Sequence, residues 1–264
     1  MNDTFNLKRF AWLLKKSILE RPALMLGLLA VTLAITLLTY SIVQSIAGIN
    51  RAQISAFVLG FVTGGSFMAS SVFGYFSSTA SGSSFLLIPA SHFEKWLCGI
   101  LITGVLFILI YLGFYRLIDI FFVNSYRNGL DPARADYQLL YSGIELFSFD
   151  NEIAKIVYTV FFNLAGAMLV GSLYFNKVSY IKVALVICTL TIVTYFLNLS
   201  IAMAFFDHID VAIPFKVIFL KVGKGVGIIN QPDLMARAIN ITISYVIPAI
   251  LWLTAYIRLK EKEI

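Results

Sequence analysis

Residues 22–50 read PALMLGLLAVTLAITLLTYSIVQSIAGIN, 29 residues without a Lys, Arg, Asp or Glu. A helix crosses a hydrocarbon core about 30 Å thick with about 20 mostly apolar residues, so this stretch is long enough to span. Five more charge-free stretches follow, at 52–93, 96–115, 156–176, 183–206 and 238–257. None shows the alternating polarity of a membrane strand. The stretch at 52–93 could hold two spans by length. Its later half, however, contains Ser78-Thr-Ala-Ser-Gly-Ser-Ser84 and then Pro89, which reads as loop chemistry. The pattern predicts an all-α membrane protein with six transmembrane helices and an amphipathic elbow helix before them. The whole chain, 1–264, reads as one domain, with the elbow at 4–21 and spans near 23–44, 53–75, 97–117, 155–175, 182–205 and 238–257.

Composition agrees. Charged residues make up 13% and hydrophobic residues 59%, whereas a soluble domain carries about 25% charge. Disorder is excluded by the same numbers, and two cysteines exclude a disulfide-stapled secreted fold. The net charge of +6 is also placed. If both termini are cytoplasmic, that side holds Lys8, Arg9, Lys15, Lys16, Arg21, Lys95, Lys177, Lys182, Arg258, Lys260 and Lys262. Its acids are Asp3, Glu20, Glu94, Glu261 and Glu263, and the opposite side balances to zero. This is a positive-inside signal, with 124–150 and 207–235 outside. It explains the basic excess without nucleic acid, for which no groove-reading motif is present.

In the elbow, Leu7, Phe10, Ala11, Leu14 and Ile18 recur at three- and four-residue steps on one stripe. Lys8 with Lys15, and Arg9 with Lys16, lie on the other side, and Phe5 and Trp12 fall near the boundary. Pro22 separates this helix from the first span. The alternative is a plain basic flank. Gly60-Phe-Val-Thr-Gly64, and Ala167 with Gly171, carry the small-residue spacing that lets helices approach closely in lipid; the spacing leaves open which helix is the partner.

Residues 83–97 read SSFLLIPASHFEKWL. Ser91-His-Phe-Glu94 is a capping-box pattern ahead of an apolar run. The apolar Phe85-Leu-Leu-Ile88 is too short to span. It is either a surface-lying turn or a docking element for a soluble partner. Glu94 is the sole acid between Glu20 and Asp119, and it reads as a helix cap or as a charge offered to that partner.

Catalytic and metal sets are not expected. The topology puts His92 and His208 on opposite faces, and Asp207-His208-Ile-Asp210 reads as a solvated loop start. No serine has a GxSxG setting, and Cys98 and Cys188 lie in spans as small hydrophobes. Lys221-Val-Gly-Lys-Gly-Val-Gly227 lacks the spacing and hydroxyl of a phosphate loop. The six charge-free stretches that form the spans hold no Asp, Glu, Lys or Arg, so no group there could cycle a proton. Their polar residues include Asn163, Asn198, Asn240, Thr191, Thr194, Thr242 and Ser244. The three asparagines are the candidates for lining a path. Energy for transport would then come from another subunit. Residues 211–229, apolar but interrupted by Lys216, Lys221 and Lys224, are expected to lie against the bundle or dip into the membrane.

Together the pieces resemble integral-membrane permease subunits of type-2 ABC exporters, in particular short ones from Bacteroidota. The resemblance rests on the elbow, on Leu87-Ile-Pro-Ala-Ser-His-Phe-Glu-Lys95 (close to L-P-A-S-x-x-E-K, with Ile88 replacing a leucine), and on the tail Ala255-Tyr-Ile-Arg-Leu-Lys-Glu-Lys-Glu263. It implies a bacterial inner-membrane protein that pairs as a homo- or heterodimer with cytoplasmic ATPase subunits. ATP and Mg would sit on the ATPase, with no cofactor in this chain. By position, the ATPase-coupling role falls on Phe85, Leu87, Pro89, Ser91, Glu94 and Lys95, and 211–229 would form short re-entrant helices. A membrane scaffold or sensor, or a secondary carrier, is the alternative.

Overall fold

A computed structural model describes residues 4–133, 135–175, 178–206, 209–222 and 225–262. Helix α1, Leu7–Leu19, starts at Asn6, whose side chain accepts from the backbone N–H groups of Lys8 and Arg9. Pro22 opens α2, Pro22–Ala47, in the first turn, where a missing N–H leaves no bond unmade. The α1 stripe divides. Phe10 and Leu13 are buried and Leu14 half-buried, whereas Leu7, Ala11 and Ile18 face outward. One half of the apolar arc packs on protein and the other is left for another medium.

A single residue, Gly48, joins α2 to α3, Ile49–Val72, at φ +85°, a conformation open to glycine. The two helices pack along their length. Gly60 lies against Thr36 and Gly64 against Thr32, so the partner of this motif is α2 of the same chain. A 3₁₀ turn, Gly74–Ser77, leads into α4, Thr79–Leu86. The serine-rich stretch expected as loop is thus helical. Ser78 caps it by accepting from Ser81 N, and the absence of a side chain at Gly82 lets it close against Phe76.

The third span, α5, runs His92–Asn128, well past the expected end near 117, through Arg116 and Asp119. Within it Leu101–Leu106 is a π turn. After α6, Tyr137–Ser142, an irregular strap leads to α7, Glu152–Tyr174, capped by Asn151. Helix α8 is Ser179–Phe205, and the last span, α9, is Asp233–Lys260, with a π turn at Thr242–Val246. Gly166 on α7 fits beneath Trp252 of α9, whose indole N–H donates to the Phe162 carbonyl at 3.0 Å.

Helix α3 is central, flanked by α2, α5 and α7. Its core is aromatic: Phe57, Phe61, Phe107, Tyr111, Tyr115 and Phe161 are buried and in mutual ring contact. By contrast, an 18-residue apolar stretch of α8 has no buried residue. Six helices are long and apolar enough to cross a bilayer, and an apolar helix exposed along most of its length is stable in lipid, not water. This is a multi-pass membrane protein.

The described residues of 211–229 are not re-entrant helices. They belong to an antiparallel meander of β1, Ile209–Ile213, β2, Val217–Val222, and β3, Gly225–Asn230, in that order. Val, Ile and Phe are at home in strands, and the turn places Phe215 at φ +59°. Ala212 is buried, and its carbonyl accepts from Asn198 Nδ2 of α8 at 3.2 Å.

Candidate docking site

The candidate segment lies at the end of the bundle that carries both described chain ends. Tyr75 anchors its base. The phenol donates to Glu20 Oε2 at 3.1 Å, and the Arg21 guanidinium sits 4.0 Å from the ring centroid. Burial, and next the Glu20 carboxylate, push the Tyr75 pKa up to about 12, so the phenol stays a donor at neutral pH. Phe85 is buried and stacks on Tyr75 at 4.7 Å. Lys95 is also buried. Its Nζ donates to the Leu86 carbonyl at 2.8 Å and lies 5.6 Å from the Phe85 ring.

The capping box is formed. Glu94 N donates to Ser91 Oγ at 3.1 Å, and Ser91 N donates to Glu94 Oε2 at 2.9 Å. The same carboxylate does more. Arg9 Nε reaches Oε2 at 2.7 Å, Arg9 Nη2 reaches Oε1 at 2.8 Å, and Asn6 N reaches Oε1 at 2.7 Å. Ser91 Oγ in turn donates to the Thr4 carbonyl at 2.6 Å. Forked guanidinium–carboxylate pairing of this kind is strong and directional. It fastens the start of α5 to α1.

This geometry sorts the six expected coupling residues. Glu94 is fully buried and its charge is matched within the chain, so it does not offer that charge to a partner. Phe85 and Lys95 likewise face inward, and Ser91 is engaged with Thr4 and Glu94. Leu87, 76% exposed, and Pro89 form the outward tip. Beside the tip runs an open groove of about 600 Å³ lined by Lys16, Ala80, Ser83, Ser84, Leu87, Ile88 and Pro89. The arrangement is a rigid scaffold presenting a short apolar edge.

The asparagines expected along a path have separate partners. Asn163 Nδ2 donates to the carbonyls of Thr159 and Ile243, tying α7 to α9. Asn198 holds β1, and Asn240 accepts from Ser244 Oγ at 3.4 Å. His208, Asp207 and Lys224 lie outside the described residues.

A second buried carboxylate stands in the later part of α5, beyond the bound near 117 where the span was expected to end. Asp119 is fully buried. Its Oδ1 accepts from Tyr40 OH at 3.0 Å and Gln53 Nε2 at 2.9 Å, and its Oδ2 accepts from Phe147 N at 2.8 Å. Arg116 Nη1 is 3.7 Å away. Gln53 Nε2 also donates to the Glu145 carbonyl. Phe147 and Phe149 pack against Phe57 at 4.7 and 5.9 Å, so the strap between α6 and α7 plugs this end of the core. Arg116 and Asp119, three residues apart and paired, were the available sign that the helix continues through its first charges. Comparison with protein-family models, curated proteins and solved structures found no match for this chain.

Proposed function

We propose that this chain is the membrane permease subunit of an ABC exporter in a bacterial inner membrane, with both termini cytoplasmic. In this reading it acts as a dimer, and a separate cytoplasmic ATPase seats on the 84–89 tip. The observation that supports the reading is the build of that tip: exposed Leu87 and Pro89 are carried on Phe85, Glu94 and Lys95, all buried. A motion imposed at such an edge is passed to α1 and α5 instead of being absorbed by a floppy loop. The test is purification of the tagged full chain together with an ABC ATPase co-expressed from the same operon. Leu87→Asp should abolish the association and the stimulated hydrolysis while the melting temperature of the membrane subunit stays unchanged. Retained association and stimulation would remove the tip from the interface.

Asp119 favours one other reading, a proton-coupled carrier, because buried ionisable groups in membrane helices mark ion pathways. Proteoliposomes of the purified chain alone, given a pH gradient, separate the two. Gradient-driven substrate movement that Asp119→Asn abolishes would put the carrier first.

A further inference from the structure

Helix α1 turns to the outside a face that the bundle leaves uncovered. Leu7 is 71% exposed and Trp12 70%, with Leu19 and Ile18 exposed nearby. Lys8, Lys15 and Lys16 are interleaved with them. Lys15 Nζ lies 5.5 Å from the Trp12 ring centroid. Among the described residues, none of the three lysines has a carboxylate within ion-pair distance. Only Phe10 and Leu13 of this helix are buried.

We infer that α1 binds the anionic headgroups of the leaflet it lies against, and that the Arg9–Glu94 clamp carries its position to the 84–89 tip. The occupant follows from charge and shape together. Unpaired lysines between exposed Trp, Leu and Ile fit a headgroup layer, where rings sit at the interface and ammonium groups reach phosphates. A soluble acidic partner would satisfy the lysines but leave Leu7 and Trp12 in water. The bilayer is adjacent by continuity of the chain, because only Glu20 and Arg21 separate α1 from the span α2, which begins at Pro22. The transmission step rests on covalent neighbours and hydrogen bonds. Arg9 and Asn6 on α1 grip Glu94, and Glu94 caps the helix whose next residue, Lys95, holds the Leu86 carbonyl. This inference uses the membrane reading and is independent of the transport reading.

The experiment is hydrogen exchange on the full chain in nanodiscs of pure phosphatidylcholine, or of phosphatidylcholine mixed with phosphatidylglycerol. Near an anionic surface each lysine is worth roughly a fivefold change in affinity. Exchange across 7–19 should therefore slow by about tenfold or more in the anionic discs, with a smaller slowing across 83–90, and high salt should erase both. A Lys8→Gln, Lys15→Gln, Lys16→Gln variant keeps the Asn6 cap and the Arg9–Glu94 clamp, giving up only the exposed Lys15–Trp12 ring contact, and should lose both effects. Arg9→Gln should keep a slowing at 7–19 but lose it at 83–90. Equal exchange in the two lipids, or an undiminished response in the triple variant, overturns headgroup binding. A full response at 83–90 in Arg9→Gln overturns the clamp as the link, whatever any ATPase experiment gives.

Discussion

Helix α5 holds a fully buried carboxylate at each end, roughly 37 Å apart at 1.5 Å per residue, and the two are neutralised in different ways. Glu94 meets a cation. Arg9 forks onto both of its oxygens, backbone N–H groups of Asn6 and Ser91 complete the shell, and the arginine side chain is 34% exposed. Asp119 meets dipoles. A phenol, an amide and a backbone N–H provide its hydrogen bonds, while Arg116 stands off at 3.7 Å. Each carboxylate ties a segment outside the spans to the same helix, α1 in one case and the 143–151 strap in the other. The lesson is that one helix holds two buried anions by different means. At Glu94 the arginine itself supplies two of the hydrogen bonds, whereas at Asp119 neutral donors supply them and Arg116, about as exposed as Arg9, adds its charge from farther off.

The sharpest way to break this contrast is to delete each carboxylate. Asp119→Ala orphans three enclosed donors, from Tyr40, Gln53 and Phe147. An unsatisfied buried donor costs about 1–3 kcal/mol, and such neighbouring terms do not simply add. A loss of about 3–5 kcal/mol is expected, read as a lower melting temperature in detergent and faster hydrogen exchange across 144–151. Glu94→Ala should cost less, about 2–3 kcal/mol. Breaking a buried pair costs about 3–5 kcal/mol, but here Arg9 is partly hydrated already and recovers water when released. If Glu94→Ala proves the more damaging, the assignment of dipoles as the stronger anchor is wrong.

Salt sharpens the comparison further. Added salt screens the forked Arg9–Glu94 pair, whereas the neutral donors that hold Asp119 carry no net charge to screen and only the longer Arg116 contact is open to it. The cost of Glu94→Gln, about 1–2 kcal/mol, should shrink as ionic strength rises, since glutamine still fits the box and forfeits mainly the attraction to Arg9. Asp119→Asn, about 2 kcal/mol because its amide N–H₂ must face a donor, should change less with salt, since only the longer Arg116 contact is screened. Melting curves of both variants over a salt series check this.

These two ends were unequally legible in the sequence. The Glu94 cap is a four-residue pattern, Ser91 to Glu94, ahead of an apolar run, so local spacing was enough. Its grip on Arg9 was not, because 85 residues separate the two. Asp119 draws on Tyr40, Gln53 and Phe147, at separations of 79, 66 and 28 residues, and no local pattern encodes such a convergence. The span was also expected to stop at its first charge, although Leu117-Ile-Asp-Ile-Phe-Phe122 keeps the apolar content of a continuing helix. Six helices were readable because lipid demands long uncharged runs. The β meander was not, since Val, Ile and Phe at 209–230 suit a strand as well as a membrane-dipping helix. The Gly60–Gly64 spacing signalled close packing, and only the fold could say that Thr32 and Thr36 receive it.

The smallest expected effect tests whether the dipoles at Asp119 act as separate donors or as one network. Tyr40→Phe removes a single hydroxyl and keeps the buried ring, which stacks on Phe122 at 4.2 Å. Oδ1 of Asp119 then retains Gln53 Nε2, and Oδ2 retains Phe147 N. The lost bond reached a different oxygen from the one that holds the strap. Independent donors therefore predict a stability loss of about 1 kcal/mol, with hydrogen exchange across 144–151 unchanged relative to neighbouring segments. A coupled network predicts that the carboxylate shifts when one donor goes, so that the strap loosens as well. A double-mutant cycle of Tyr40→Phe with Gln53→Leu decides between them. Additive losses leave Asp119 as a set of local bonds, and a coupling beyond about 0.5 kcal/mol makes the outer end of α5 a single cooperative clasp.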